Sequence, residues 1–136
     1  MAAQVGIVLV SHSPALAEGA AELAGQVSGD GVTIATAGGT DDGRIGTSIA
    51  KVQRAISQAD GGAGVVILPD LGSSVLTVRT LLAEPEELPA GLAARVVMAD
   101  APFVEGAVAA AVTAAGGGDL EAVLAAAQEA RHARKL

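Results

Sequence analysis

The chain has two histidines and no cysteine, so few side chains can act as strong nucleophiles. His12 stands in Ser11-His12-Ser13-Pro14, where an apolar run ends. A neutral imidazole is a good nucleophile near pH 7, and it can also relay a proton. Asp70 closes a second apolar run and is followed by Leu71-Gly72-Ser73-Ser74. A carboxylate bonded to one imidazole nitrogen fixes the tautomer and leaves the other nitrogen for a ligand. Each feature also has a purely structural reading. Ser13-Pro14 suits a helix start, Asp70, Ser73 and Ser74 suit helix caps, and Asp41-Asp42 suits a solvated turn. His132 lies in a basic C-terminal tail and is given no role.

Other chemistries are disfavoured by what the sequence lacks. No G-x-S-x-G elbow is present, and no lysine sits at a strand end. The glycine-rich segment 37–48 lacks the G-K-[ST] ending of a P-loop. No histidine pair has metal-ligand spacing, so no metal site is expected. The net charge of −7 argues against non-specific nucleic-acid binding, which needs a basic surface. Phe103 is the one aromatic residue, so stacking platforms for single strands or flavins are missing. No run of about 20 apolar residues exists, so no membrane insertion is expected. The N-terminus lacks the positive start of a secretory leader. Absence of cysteine fits a cytoplasmic location.

A protein of 136 residues suits one domain, here residues 1–136. Four β-like runs, 5–10, 32–36, 65–70 and 93–99, alternate with helix-like runs. The first and third lack polar alternation, as strands buried on both faces do. Helices are expected from Ser13-Pro14 to about 28, from Thr47 or Ser48, from Leu71 to 82 and over 103–115. A last helix starts at Asp119. This order implies an α/β fold: an open, doubly wound parallel sheet of order 2-1-3-4 with helices on both faces.

In such a sheet, ligands gather outside the carboxyl ends of the strands, at the switch point. That point lies between the first and third strands, so His12 and Asp70 should face each other across it. Helices begin just after each of them. Two helix N-termini aimed at one spot suit an anion such as a phosphoryl group.

The segments 8–19, 37–48, 68–74 and 99–106, in that order, resemble the DhaM family. These are the phosphotransfer subunits of phosphoenolpyruvate-dependent dihydroxyacetone kinase, whose N-terminal domain is similar to mannose-type enzyme IIA of the phosphotransferase system. The resemblance covers nearly the whole chain. It implies a phosphotransferase in which His12 accepts a phosphoryl group from phospho-HPr on its tele nitrogen. The group then passes to ADP on a DhaL subunit and supports phosphorylation of dihydroxyacetone on DhaK. By the same resemblance, Asp70 orients His12, and Ser74, with Ser73 and Gly72, holds the phosphoryl oxygens. Thr40 and Asp41 of the glycine-rich loop are expected nearby. No cofactor is expected on this chain, and magnesium would arrive with the partner's nucleotide.

The family implies a homodimer. Mannose-type IIA domains exchange a C-terminal strand between subunits, whereas segment 119–131 here reads as helix. Some relatives continue into HPr-like and enzyme I-like domains, so the chain either uses a separate phosphocarrier or is part of a longer protein. Two alternatives stay open: a IIA component passing phosphate to a IIB sugar-transport protein, and a regulatory module without transfer activity.

Overall fold

The apolar run at the start of the chain becomes β1 (Gly6–Ser11), and every residue of it is buried. Side chains alternate across a strand, so Ile7 and Leu9 enter one core and Val8 and Val10 the other. Such double burial is why the run carries no polar alternation. The computed structural model describes residues 3–136. Residues 1 and 2, at the start of the segment read above for a leader, lie outside the described residues.

After β1 come α1 (Pro14–Ser28), β2 (Ile34–Gly38), α2 (Ile49–Ala59), β3 (Val65–Pro69) and α3 (Gly72–Leu82). Then follow β4 (Val96–Met98), α4 (Phe103–Ala115) and α5 (Leu120–Glu129). The four strands form one parallel sheet in the order β2-β1-β3-β4. This is the expected α/β architecture and order.

One face of the sheet packs on α2 and α3 through Val52, Ala55, Ile56, Val78 and Leu81. The other packs on α1, α4 and α5 through Ala20, Ala24, Ala107, Ala110, Ala111, Val123 and Ala127. Alanine at these positions brings the helices close to the sheet, which is how a core with a single aromatic fills its volume. Each buried Ile, Leu or Val of the strands contributes about 1.5–3 kcal/mol by leaving water.

Helix starts follow local chemistry. Ser13 caps α1 by accepting from the Leu16 N–H (3.2 Å), with Pro14 as the first helical residue. Ser48 caps α2 by accepting from the Lys51 N–H, and Asp119 caps α5 by accepting from the Ala122 N–H. By contrast, α3, preceded by Leu71, and α4, preceded by Pro102, have no side-chain cap.

β1 and β3 lie within one residue of the sequence reading, and β2 and β4 differ from it by more. β2 starts at Ile34, opposite Ile7, and runs on to Gly38. It can do so because Gly38 has no Cβ: one would lie 2.6 Å from the Pro14 Cα. β4 shrinks to three residues, because Ala93–Arg95 form a 3-10 turn. That turn is held by Arg95, whose guanidinium bonds both Asp60 oxygens (3.1 and 2.6 Å) and the Gly91 carbonyl (3.1 Å). The C-terminal segment is helical, as expected: α5 is followed by a 3-10 turn at Ala130–His132.

Candidate functional site

The sheet order makes β1 and β3 neighbours, with Val10 beside Pro69. The next residues along each strand, Ser11-His12 and Asp70, therefore meet at the carboxyl edge. The Asp70 N–H donates to the Val10 carbonyl (3.0 Å), which carries the pairing one step past the strand.

The Asp70 carboxylate accepts four hydrogen bonds. Oδ1 takes the His12 ring at Nδ1 (2.9 Å) and the Leu71 N–H (2.7 Å). Oδ2 takes the Ser11 hydroxyl (2.9 Å) and the His12 backbone N–H (3.0 Å). An ionised carboxylate offers about four acceptor positions, and all are used. Burial alone would raise the Asp70 pKa. The His12 and Leu71 N–H groups, the Ser11 hydroxyl and the imidazole outweigh it and hold the carboxyl below its ordinary range. Asp70 therefore stays an acceptor, and His12 Nδ1 must carry the proton. In the neutral ring the lone pair then sits on Nε2.

Nε2 contacts the Ser73 hydroxyl in the exposed first turn of α3. With Nδ1 protonated, Ser73 donates and Nε2 accepts. The first N–H groups of a helix lack intrahelical partners, so those of Gly72 and Ser73 are free to bind an anion near Nε2. The His12 side chain is 19% exposed and that of Asp70 6%, so the ring is reachable while its orienting carboxylate is shielded. The arrangement can make a covalent bond at Nε2 and bind negative charge beside it.

Ser74, expected to hold phosphoryl oxygens, sits differently. It is fully buried, and its hydroxyl donates to the Leu71 carbonyl (2.6 Å). The residue following Gly72 occupies the outer side of the first turn and the next one turns inward, so the hydroxyl beside the imidazole belongs to Ser73. Thr40 and Asp41 make no hydrogen bond to His12, Asp70 or Ser73. The Thr40 hydroxyl bonds Asp42 and accepts from the Arg44 N–H, while the Asp41 carboxylate accepts from the capping hydroxyl of Ser48. Both build the glycine-rich loop rather than the reactive centre. The loop reaches the site through Gly46, whose N–H donates to the His12 carbonyl (2.9 Å). His132 lies in the exposed C-terminal segment.

Ser11 received no role from the sequence. It is fully buried, donates to Asp70 and accepts from the Ser13 N–H (3.0 Å). Its signal was available: it is the one polar residue in an otherwise apolar buried strand. Thr47 and Thr77, whose hydroxyls meet at 2.8 Å, were also missed. Only the fold brings the loop against α3. Among the described residues, no group of three or more His, Asp or Glu side chains is placed to hold a metal ion.

Comparison with known proteins gives a consistent result. The profile of EIIA-man, the PTS system fructose IIA component, matches residues 6–124. The phosphoryl donor subunit DhaM of PEP-dependent dihydroxyacetone kinase 2 from Listeria innocua is 38% identical over 88% of this chain and 94% of its own length. DhaM proteins from Providencia stuartii and Escherichia coli are 37% and 42% identical over 96% and 75% of this chain. The chain spans only 28% and 22% of the length of those two. A crystal structure of a protein of unknown function superposes with a TM-score of 0.82 at 35% identity, covering 97% of each chain. On this evidence the chain belongs to the mannose-type EIIA family of the phosphotransferase system and, within it, to the DhaM phosphoryl donor subunits.

Proposed function

We propose that this chain is the phosphoryl donor subunit of a phosphoenolpyruvate-dependent dihydroxyacetone kinase and that His12 carries the phosphoryl group. The observation that carries this reading is the lock on the ring. Asp70 is saturated with donors and ionised, so Nδ1 keeps its proton and Nε2 keeps its lone pair at the mouth of the site.

The reaction proceeds in two displacements. Nε2 attacks the phosphorus of a phosphorylated carrier of the HPr type. The P–N bond on the donor breaks as the P–Nε2 bond forms, and the donor histidine recovers its lone pair. The ring gains positive character, which the adjacent Asp70 carboxylate stabilises. Ser73 shifts its hydroxyl proton from Nε2 to a phosphoryl oxygen, and the Gly72 and Ser73 amides face the same charge. Phosphoryl transfer needs in-line positioning and charge stabilisation more than covalent machinery, and this site offers both. In the second displacement a terminal oxygen of ADP, held on a DhaL subunit, takes the phosphoryl group. Nε2 leaves with its lone pair. The ATP so formed serves dihydroxyacetone bound to DhaK, and magnesium comes with the nucleotide.

Self-association and a cytoplasmic location belong to the same proposal. The family resemblance supports the first, and sedimentation of the purified chain reads it directly. For the second, no helix among the described residues is long and apolar enough to cross a membrane.

The relay itself is the test. The chain is incubated with phosphoenolpyruvate, enzyme I and HPr, then with DhaL·ADP. Acid-labile phosphate should appear on the chain and then leave as ATP. A His12→Ala variant that still labels fully sinks the assignment of His12. Labelled chain that passes phosphate to a IIB protein but not to DhaL·ADP makes it a sugar-transport component. Labelled chain that transfers to neither makes it a regulatory module.

A further inference from the structure

A closed ring of hydrogen bonds passes through His12. Its ring Nε2 accepts from the Ser73 hydroxyl. The Ser73 carbonyl accepts from the Thr77 hydroxyl (3.2 Å). Since that donation uses the one hydroxyl proton of Thr77, the 2.8 Å contact between the two threonines runs from Thr47 to Thr77. The residue before Thr47, Gly46, donates its N–H to the His12 carbonyl (2.9 Å). The circuit thus links β1, the glycine-rich loop and α3, and it closes on the reactive residue.

We propose that Thr47 and Thr77 are positioning residues for phosphoryl transfer at His12. This rests on the reading of His12 as the phosphoryl acceptor. Two independent features argue that the contact does more than decorate a helix. First, α3 has no side-chain cap, whereas α1, α2 and α5 do. The turn that presents Ser73 and two free amides to the phosphoryl group therefore starts without that support, as does the start of α4 after Pro102. The Thr47–Thr77 bond supplies it from outside, one turn further along, through the Ser73 carbonyl. Second, residues 41–45 of the loop are all exposed, and the bonds of Thr40, Asp41 and Arg44 stay within residues 40–48. Thr47 ties the far limb of that loop to α3, and Gly46 ties it to His12. A threonine hydroxyl bonding back one turn is common by itself. Receiving a second hydroxyl from 30 residues away is what makes this one a bracket.

The consequence is specific. Removing the bond leaves Nδ1 and Asp70 untouched but loosens Ser73 over Nε2. Binding of the donor should survive, while the transfer step slows.

Thr47→Val and Thr77→Val keep the branched shape and remove the hydroxyl; Thr47→Ser keeps it. In single-turnover phosphorylation by phospho-HPr, each valine variant should lower the limiting rate about 5- to 30-fold. The donor concentration at half-saturation should hold. Thr47→Ser should restore the rate. The double valine variant should lose no more than either single one, because both break the same circuit. Wild-type limiting rates in the valine variants, additive losses, or failure of the serine variant to rescue would overturn the proposal. The 15N shift of His12 Nε2 provides a second readout with no donor present. It should move in both valine variants and return in Thr47→Ser. An unmoved shift overturns the bracket even if His12 proves not to accept phosphate. A moved shift in a chain that does not label at His12 would instead overturn only the reading of His12 as acceptor.

Discussion

His12 Nδ1 lies 2.9 Å from Asp70 Oδ1, and the carboxylate that holds it accepts three further hydrogen bonds. Two residues 58 positions apart meet because β1 and β3 are adjacent in the sheet and each ends at its carboxyl edge. The tautomer of the imidazole follows from that meeting.

Replacing Asp70 by asparagine should disturb this lock. An amide has one oxygen to accept with and an NH2 that must face donors. Phosphorylation of His12 should slow by about 100-fold or more, as when an oriented acid–base partner is lost. Stability should fall by about 1–3 kcal/mol from the stranded donors. Stopped-flow labelling and denaturant unfolding measure the two effects separately.

The same carboxylate gives a signed pH dependence. Its pKa is lowered in the fold relative to the ordinary value of 3.8. The native state therefore binds fewer protons than the unfolded chain in the acid range. The Asp70 contribution is fully present above about pH 4 and is lost as pH falls through the lower folded value. Unfolding free energy measured from pH 6 downward should decline more steeply for the natural chain than for Asp70→Asn.

Ser11→Ala removes one donor to Asp70 and leaves the Ser13 N–H without its acceptor. About 1–2 kcal/mol of stability should be lost, because both groups are shielded from water. Labelling should slow only a few-fold, since His12 keeps its bond to Asp70. Equal loss of rate in Ser11→Ala and Asp70→Asn would show that Ser11, not Asp70, governs the ring.

Gly38→Ala tests how the first strands support the site. The added Cβ would meet the Pro14 Cα at 2.6 Å and the Ser13 carbonyl at 3.0 Å, both backbone. β2 or the start of α1 must move, at a cost of about 1–3 kcal/mol. A melting temperature equal to that of the natural chain would contradict the close approach of β2 and α1.

Much of this was legible in the sequence. The uninterrupted apolar runs ending at Ser11 and Asp70 announced buried parallel strands, and strand order then placed His12 opposite Asp70. Ser13 and Asp119 were readable as caps because capping is local, and Ser48 was one of two candidates beside Thr47. Contacts made across the chain were not readable. Nothing local distinguishes Ser73 from Ser74 as the hydroxyl that faces the ring; their positions around the first turn of α3 decide it. Thr40 and Asp41 look like site residues in sequence, yet their side chains serve the loop itself. The short β4 reflects the Arg95–Asp60 pair, which spans 35 positions. Thr47 meets Thr77 only after the glycine-rich loop folds back.

The position of the phosphate on the chain tests the central claim most directly. After labelling with phosphoenolpyruvate, enzyme I and HPr, two-dimensional 1H–15N NMR of the histidine rings identifies the modified nitrogen. The account predicts one phosphohistidine, His12, modified at Nε2, with Nδ1 still protonated toward Asp70. Phosphate on His12 Nδ1, on His132 or on any other residue would contradict it.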